Sequence, residues 1–183
     1  MFPELITERL LLQRIEPEDQ SFIFEGLSHP DVIRYYGISF QTLQEVETQL
    51  QWYRNMEITG TGLPWKIVNR QTGQKMGVLA VYFFRPEHQK AELGFWLLPK
   101  FWNRGYALEA VNEVVRYWQQ KRQLHRLEAF VEVENTASAN LLEKAGFHYE
   151  GTMRDCEIKN GRFISLKIYA LHKTVTGSRP AHS

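Results

Sequence analysis

The sequence predicts a mixed α/β fold of the α+β class, with an antiparallel start and one strand–helix–strand crossover. Three short apolar runs joined by tight turns predict an antiparallel meander in the middle of the chain. A helical apolar pattern followed by another apolar run predicts the crossover, and Asn160-Gly161 between two later runs is a strong hairpin pattern. The predicted strands of these units span residues 65–68, 76–84, 91–98, 127–133, 147–157 and 162–171.

The first forty residues are predicted to hold one strand and two helical segments. Residues 9–15 form a short apolar run that ends before Pro17, and proline is favoured in the first turn of a helix. This pattern predicts a strand followed by a helix over about residues 17–28. Residues 29–37 have a proline near their start and a glycine at their end, which predicts a single helical turn between loops.

Three longer segments carry the apolar period of a helix. From Thr42, apolar residues recur at spacings of three and four, and Thr42 with Glu45 matches the pattern of a capping box. Residues 107–118 have the same apolar stripe behind a glycine-containing loop. Residues 135–145 form the third predicted helix, which ends at Gly146 because glycine adopts the left-handed conformation that terminates helices.

Composition and charge bound the class of protein. The 183 residues are 43% hydrophobic and 23% charged, which are ordinary globular proportions and exclude a disordered or coiled-coil chain. They predict one domain over residues 1–173, followed at 174–183 by a segment without periodicity that we expect to be a disordered tail. The net charge of +1 creates no global field, so we expect no direct binding of nucleic acid.

Several features predict where the protein is found and which cofactors it lacks. The longest apolar run, residues 78–84, is far shorter than the ~20 residues that span a bilayer, so we expect no membrane association. The first ten residues are acidic where a signal peptide is basic, and the single cysteine, Cys156, cannot form an internal disulfide. These features predict a cytoplasmic protein. The histidines show no metal-ligand spacing, so no metal is expected.

Residues 91–110 combine a strand, a short loop and the start of a helix. The first amides of a helix have no intrahelical partner and lie at the positive end of the helix dipole, which suits a phosphate group. Gly105 lets the main chain approach such a ligand without a Cβ, and Arg104 adds a positive charge. The segment lacks the lysine and second glycine of a P-loop. An ordinary helix start has the same pattern, so both interpretations stay open at this point.

A second strand-to-helix junction follows at residues 135–147 (NTASANLLEKAGF). Together with W-N-R-G-Y-A at residues 102–107, it resembles the Gcn5-related N-acetyltransferase (GNAT) superfamily, whose acetyl-CoA signature is Q/R-x-x-G-x-G/A. Trp102 departs from the first position of that signature. The G-Y-A-x-E-A continuation, the E-K-x-G-F ending and the early P-D-V-I-R-Y-Y-G resemble the RimJ/RimL branch, which acetylates α-amino groups of ribosomal proteins. The resemblance extends over about residues 5–173.

The resemblance implies a GNAT-like fold and a set of coenzyme contacts. The fold is a twisted, mostly antiparallel sheet of about seven strands, with helices on both faces and a splay between strands four and five. In the family, the pantetheine arm of acetyl-CoA fills this splay and pairs with the fourth strand, and the pyrophosphate lies against the amides of the signature loop. The residues implied to bind acetyl-CoA are Phe95, Trp96, Leu97, Asn103, Arg104, Gly105, Tyr106, Ala107, Leu108 and Asn135.

Acetyl transfer needs a base for the amine and a group that stabilises the departing thiolate. The resemblance implies Glu92 as the base, acting through water, and Ser138 as a hydrogen-bond donor near the coenzyme sulfur. A surface carboxylate on a strand and a serine in the first turn of a helix are the alternatives for these two residues. Leu142 stands where many members have an acidic tyrosine. Tyr106 and Tyr149 are substitute acids, although tyrosines beside strands more often belong to the core.

The function implied by the resemblance is direct transfer of acetyl from acetyl-CoA, the co-substrate, to a primary amine. We expect the acceptor to be the N-terminal α-amino group of a protein, such as a ribosomal protein. The alternatives are a small-molecule amine, such as an amino acid, polyamine or antibiotic, and a non-catalytic acyl-CoA-binding module. Residues 30–56 and 154–162 are expected to build the acceptor pocket, in a monomer or homodimer.

Overall fold

One mixed sheet of eight strands organises the protein in a computed structural model that describes residues 2–173. The predicted tail, residues 174–183, lies outside the described residues. The strands are β1 (Leu5–Ile6), β2 (Leu10–Arg14), β3 (Leu63–Asn69), β4 (Lys75–Arg85), β5 (Lys90–Leu97), β6 (Arg126–Glu132), β7 (His148–Lys159) and β8 (Arg162–His172). The helices are α1 (Gln20–Ser28), α2 (Pro30–Ile33), α3 (Val46–Thr59), α4 (Tyr106–Lys121) and α5 (Thr136–Lys144).

The sheet is antiparallel except at one place. Its strand order is β1-β2-β3-β4-β5-β6-β8-β7, and β5 and β6 are the parallel neighbours. They are parallel because α4 connects them as a crossover, as the pattern over residues 107–133 predicts. The sheet has one strand more than the expected number of about seven. The additional strand is β1, whose two residues are too short to show an alternating pattern.

Helices cover both faces of the sheet, as the resemblance implies. On one face, Phe22 of α1 packs against Trp96 of β5, with ring centroids 5.4 Å apart. On the other face, Trp118 of α4 packs edge-on against Phe84 at 5.1 Å. The α1 contact requires a glycine, because a Cβ on Gly26 would overlap the Trp96 ring. The α1 contact therefore positions β5, the strand of the predicted site, and the α4 contact positions the adjacent strand β4.

A buried ion pair fastens the start of α1 to the sheet. Asp19, only 1% exposed, lies 2.7 Å from Nζ of Lys66 on β3 and 2.5 Å from Nζ of Lys75 on β4. Burial by itself raises the pKa of Asp19, but hydrogen bonds from the Glu16 amide and from the two lysines outweigh it, so the pKa lies below its usual value. The first residues of the predicted 17–28 helix form a 3-10 turn, Pro17–Asp19, before α1 begins.

Helix α3 begins four residues later than Thr42, where the apolar period starts. Thr42 and Glu45 do form the predicted reciprocal pair: the Glu45 amide donates to Thr42 Oγ1 at 3.4 Å, and the Thr42 amide donates to Glu45 Oε2 at 3.3 Å. These bonds close a turn ahead of the helix rather than its first turn. At its other end, α3 stops at Gly60 in the left-handed conformation, with φ of 70°.

Candidate active site

The parallel strands β5 and β6 separate after three residues. Lys90, Ala91 and Glu92 are in register with Arg126, Leu127 and Glu128, and residues 93–97 have no β6 partner among the described residues. The same residues of β5 remain paired with β4 on their other side. One edge of β5 therefore faces a gap inside the sheet. This gap is the predicted splay, with β5 and β6 in the places of the family's fourth and fifth strands.

The loop after β5 brings unpaired amides to the same end of the gap. Residues 103–108 donate no backbone hydrogen bond to another residue within the described part of the chain. The first backbone bond of α4 is donated by the Glu109 amide to the Gly105 carbonyl at 3.0 Å. Gly105 has φ of 79°, a left-handed conformation that favours glycine. The geometry has the free donors that a phosphate needs.

An arginine from the start of the chain holds this loop. Arg9 Nε lies 2.6 Å from Glu109 Oε2 in the first turn of α4, and Arg9 Nη1 donates to the Arg104 carbonyl at 3.0 Å. The guanidinium also lies 4.5 Å from the centre of the Tyr106 ring. Burial raises the pKa of Glu109, but hydrogen bonds from Thr7 and Arg9 lower it further than burial raises it. We name Thr7, Arg9 and Glu109 the loop clamp.

Trp102, which departs from the family signature, connects the loop to the end of β5. Its indole Nε1 donates to the Leu97 carbonyl at 2.7 Å. Of the three β5 residues expected along the pantetheine arm, Trp96 and Leu97 have buried side chains and Phe95 is half-buried. Their backbone, rather than their side chains, is what the gap exposes. That they bind pantetheine stays a prediction.

Glu92 lies where the two strands part. Its carboxylate forms no hydrogen bond or ion pair with any other residue of the 2–173 range. Its neighbour Glu128, in contrast, is held by Lys90 at 2.7 Å and by Arg126 at 2.8 Å. Burial, and next the charge of Glu128, raise the pKa of Glu92 above its ordinary value. A half-buried carboxylate with a raised pKa and no partner has the properties of a general base.

The junction between β6 and α5 lies at the same end of the sheet as the signature loop. Because β5 and β6 are parallel, the helices that follow them, α4 and α5, begin at the same edge. Asn135 caps α5, and its Oδ1 accepts from the Ser138 amide at 3.1 Å. The Ser138 side chain is half-buried, and its hydroxyl makes no hydrogen bond to a described residue. Contacts of Asn135 and Ser138 with a coenzyme stay predictions.

The structure does not bring together the positions that the sequence offered for a general acid. Leu142 is fully buried in the core, so its position on α5 faces the packed interior. Tyr149 is 53% exposed, and its hydroxyl lies 2.8 Å from Thr152 Oγ1. Tyr106 lies under Arg9 in the loop clamp. Sequence reasoning missed the loop clamp because its members are about a hundred residues apart, and no local pattern joins them.

Residues 2–173 contain neither a metal-binding cluster nor a membrane-spanning helix. No group of three or more His, Cys, Asp or Glu side chains is arranged to hold a metal ion in that range. No helix there is long and apolar enough to cross a membrane.

A parallel strand pair that splays beside a loop of free amides is the arrangement that the resemblance to coenzyme A-dependent acetyltransferases implies. The chain matches the acetyltransferase (GNAT) domain family over residues 9–148. It belongs to this family of acetyl-CoA-dependent N-acetyltransferases. Its likeness to the RimJ/RimL branch is confirmed by a relative, the ribosomal-protein-serine acetyltransferase of Escherichia coli (strain K12), which is 25% identical over 52% of this chain and 53% of its own.

One relative and two solved structures illustrate the similarity. "Uncharacterized N-acetyltransferase YoaA" of Bacillus subtilis (strain 168) is 32% identical over 94% of this chain and 98% of its own. RimL, the ribosomal L7/L12 α-N-protein acetyltransferase, in complex with coenzyme A has a TM-score of 0.83 at 17% identity, covering 92% and 96% of the two chains. Spermidine N-acetyltransferase from Vibrio cholerae, in complex with CoA and spermine, has a TM-score of 0.80 at 22% identity, covering 91% and 96%.

Proposed function

We propose that this acetyltransferase acetylates a protein N-terminal α-amino group, with Glu92 as the base that deprotonates it. The observation that carries this proposal is the Glu92 carboxylate, which lies without a partner where β5 and β6 separate. A base at this place meets an amine at the entrance of the gap where the family binds the thioester. The neighbouring carboxylate of Glu128 is paired with Lys90 and Arg126, whereas Glu92 is free for a substrate.

The described residues fit acetyl-CoA as the co-substrate. The free edge of β5 offers backbone groups to the amide-rich pantetheine arm, and the amides of residues 103–108 offer donors to the pyrophosphate. Arg104 contributes a nearby positive charge. Acetyl-CoA supplies the thioester whose acetyl group is transferred. Asn135, at the opposite wall of the gap, has its Oδ1 bonded to Ser138 and retains its side-chain NH₂ for the pantetheine arm.

Each candidate residue has one role in moving the protons during acetyl transfer. A primary ammonium loses two protons when it becomes an amide. Glu92 takes the first proton, directly or through water, and the amine lone pair then forms the C–N bond while the C–S bond breaks. The second proton ends on the sulfur, which leaves as the thiol of CoA. Ser138 donates a hydrogen bond to the sulfur during departure and keeps its own proton.

The surroundings of the acceptor support a polypeptide. Lys159 of β7 donates to the Arg34 carbonyl at 2.6 Å and pairs with Glu132 of β6, so the β7–β8 hairpin contacts the segment after α2. These are the two segments expected to build the acceptor pocket. On the same hairpin, Ile158 and Phe163 are 68% and 66% exposed. Large exposed apolar side chains next to a reactive site suit a peptide better than a small amine.

The alternative acceptor is a small polyamine, and one observation supports it. Glu157 of the hairpin and Glu92 of β5 both lie close enough to Tyr82 to raise the pKa of its hydroxyl. Two carboxylates from different elements around one hydroxyl attract an acceptor with more than one positive charge.

Turnover of acetyl-CoA with two sets of acceptors tests the proposed function. Binding to the folded state alone stabilises a protein by mass action, so acetyl-CoA is expected to raise the Tm. Peptides with a free N-terminus are expected to be acetylated with a higher kcat/KM than spermidine, free amino acids or aminoglycosides. The matched control is each peptide with a blocked N-terminus. A Tm that stays constant up to millimolar acetyl-CoA would contradict coenzyme binding, and preference for spermidine would contradict the acceptor class.

Ser138→Ala is expected to lower kcat by about 5- to 150-fold, which corresponds to the ~1–3 kcal/mol of a hydrogen bond to a charged group. The Kd for acetyl-CoA should change little, because the predicted coenzyme contacts are mostly backbone groups. Rapid-quench measurement of acetyl transfer checks the effect, with Ser21→Ala on α1 as the control. An unchanged transfer rate in Ser138→Ala would reduce Ser138 to a residue of the helix start.

Three further expectations stay predictions: the cytoplasmic location, the monomeric or homodimeric state, and the absence of direct nucleic-acid binding. The single domain over residues 1–173 and the ribosomal-protein identity of the acceptor belong with them.

A further inference from the structure

Tyr82 of β4 lies directly opposite Glu92 of β5 in the antiparallel register. Side chains opposite each other on adjacent strands share one face, with Cβ atoms about 5 Å apart. This is the face that α1 and α3 cover, because Trp52 of α3 packs against Tyr82 at 5.7 Å and Phe22 of α1 packs against Trp96 at 5.4 Å. Tyr82 is thus on the side of the sheet where Glu92 lies.

The ring of Tyr82 reaches across β5 toward the gap. A Cβ on Gly94 would lie 3.0 Å from Cε1 and 3.1 Å from Oη of Tyr82, so the absence of a side chain at Gly94 makes room for the hydroxyl. Gly94 belongs to the part of β5 that has no β6 partner among the described residues. The hydroxyl therefore lies over Gly94, in the part of β5 that borders the gap. The rings of Trp52 and Phe83, at 5.7 and 5.1 Å, hold the tyrosine in this orientation.

The hydroxyl is polar and stays neutral, yet it has no partner. Burial, followed by the charge of Glu92 and by Tyr53 and Glu157, raises the pKa of Tyr82 far above its usual value. The hydroxyl consequently keeps its proton at any pH at which the protein works. Within residues 2–173, the tyrosine hydroxyls that form hydrogen bonds belong to Tyr149 and Tyr169, and the Tyr82 hydroxyl forms none. Glu92, beside it, is likewise unpartnered.

We propose that Tyr82 positions the acceptor amine: its hydroxyl oxygen accepts a hydrogen bond from the amine while Glu92 takes the proton. The proposal rests on the proposed function, because it concerns the amine that Glu92 deprotonates. An amine held at two points has its lone pair directed at one place, whereas an amine held by the carboxylate alone turns freely. Tyr82 neither gains nor loses a proton. The C–N bond forms, the C–S bond breaks, and the two amine protons go to Glu92 and to sulfur.

Tyr82→Phe removes only the oxygen and keeps the ring. Since the hydroxyl bonds to no described residue, the variant is expected to keep the Tm of the wild type. The kcat/KM for the acceptor is expected to fall about tenfold, and the Kd for acetyl-CoA is expected to stay constant. The matched control is Tyr117→Phe, which removes a hydroxyl from the opposite face, where Tyr117 packs against Trp65 at 6.0 Å.

The double variant Tyr82→Phe/Glu92→Gln distinguishes positioning from a structural role. If both residues contact the same amine, their effects are not additive, and the double variant loses less than the product of the two single losses. The role of Tyr82 would be overturned if the losses of kcat/KM in the two single variants multiply in the double variant, or if Tyr82→Phe keeps the kcat/KM of the wild type. In both cases the proposed function stands as long as the wild-type protein acetylates the peptide. Wild-type protein that acetylates no amine would overturn both.

Discussion

Glu92→Gln is expected to lower the kcat of acetyl transfer by about 10²- to 10⁴-fold, the range for loss of a general base. Glutamine has nearly the same shape and still accepts hydrogen bonds, but it cannot take a proton from the amine. The Kd for acetyl-CoA should stay constant because Glu92 lies at the paired end of β5, away from the loop amides. Steady-state kinetics with a peptide acceptor and calorimetric titration with CoA measure the two quantities separately.

The pH dependence gives this prediction a second readout. Burial and Glu128 raise the pKa of Glu92, so Glu92 becomes protonated at a higher pH than an ordinary glutamate. A protonated Glu92 cannot accept a proton, so wild-type kcat/KM should fall as the pH drops through that raised pKa. The Glu92→Gln variant should lack this fall. Glu87→Gln, at an exposed turn between β4 and β5, is the control and should behave as wild type. Full activity of Glu92→Gln across the range would assign deprotonation to another group.

Asp19→Ala is expected to lower the free energy of unfolding by about 3–5 kcal/mol, because it removes the buried carboxylate that pairs with Lys66 and Lys75. Lys66 is itself mostly buried, with 13% of its side chain exposed, and so it cannot recover full hydration in place. The matched control is Glu18→Ala, at a neighbouring exposed position, which should change stability little. Urea unfolding followed by tryptophan fluorescence measures both variants. A loss under 1 kcal/mol for Asp19→Ala would show that α1 is held by apolar contacts alone.

The same ion pair predicts how stability changes in acid. The folded pKa of Asp19 is lower than its unfolded value, so Asp19 contributes stability above the unfolded pKa of about 4. That contribution is lost as the pH falls through the folded pKa, where Asp19 takes up a proton. The wild-type protein should therefore lose stability in acid faster than Asp19→Ala does, and the two unfolding curves should converge at low pH.

Periodic patterns in the sequence predicted most of the secondary structure correctly. Long strands such as β4 and β8 and long helices such as α4 carry enough apolar repeats to be recognised, and Asn160-Gly161 does join β7 to β8. Boundaries were predicted less well where side chains compete with the backbone. Thr42 and Glu45 show this, because their reciprocal bonds complete a turn that delays α3 to Val46.

The candidate site was predictable only where its residues are adjacent in sequence. The signature loop is one continuous segment, so its glycine and free amides could be predicted together. Tyr82 could not be predicted in the same way, because its position beside Glu92 depends on the strand register and on the small size of Gly94. Arg9 was missed for a related reason: its partner Glu109 comes near only after β2 and α4 have packed.

The loop clamp means that the conformational entropy of the proposed phosphate-binding loop is lost during folding and not during ligand binding. A free loop of this length would have to lose conformational freedom upon binding its ligand, at about 1–2 kcal/mol per residue ordered. Because Arg9 bonds to the Arg104 carbonyl and to Glu109 as part of the fold, that loss occurs during folding instead. We therefore expect the pyrophosphate of the coenzyme to meet donors that are already oriented, without a closing motion of the loop. If the loop binds the coenzyme as proposed, its affinity depends on Arg9, a residue just before β2 and about a hundred residues away from the loop in the sequence.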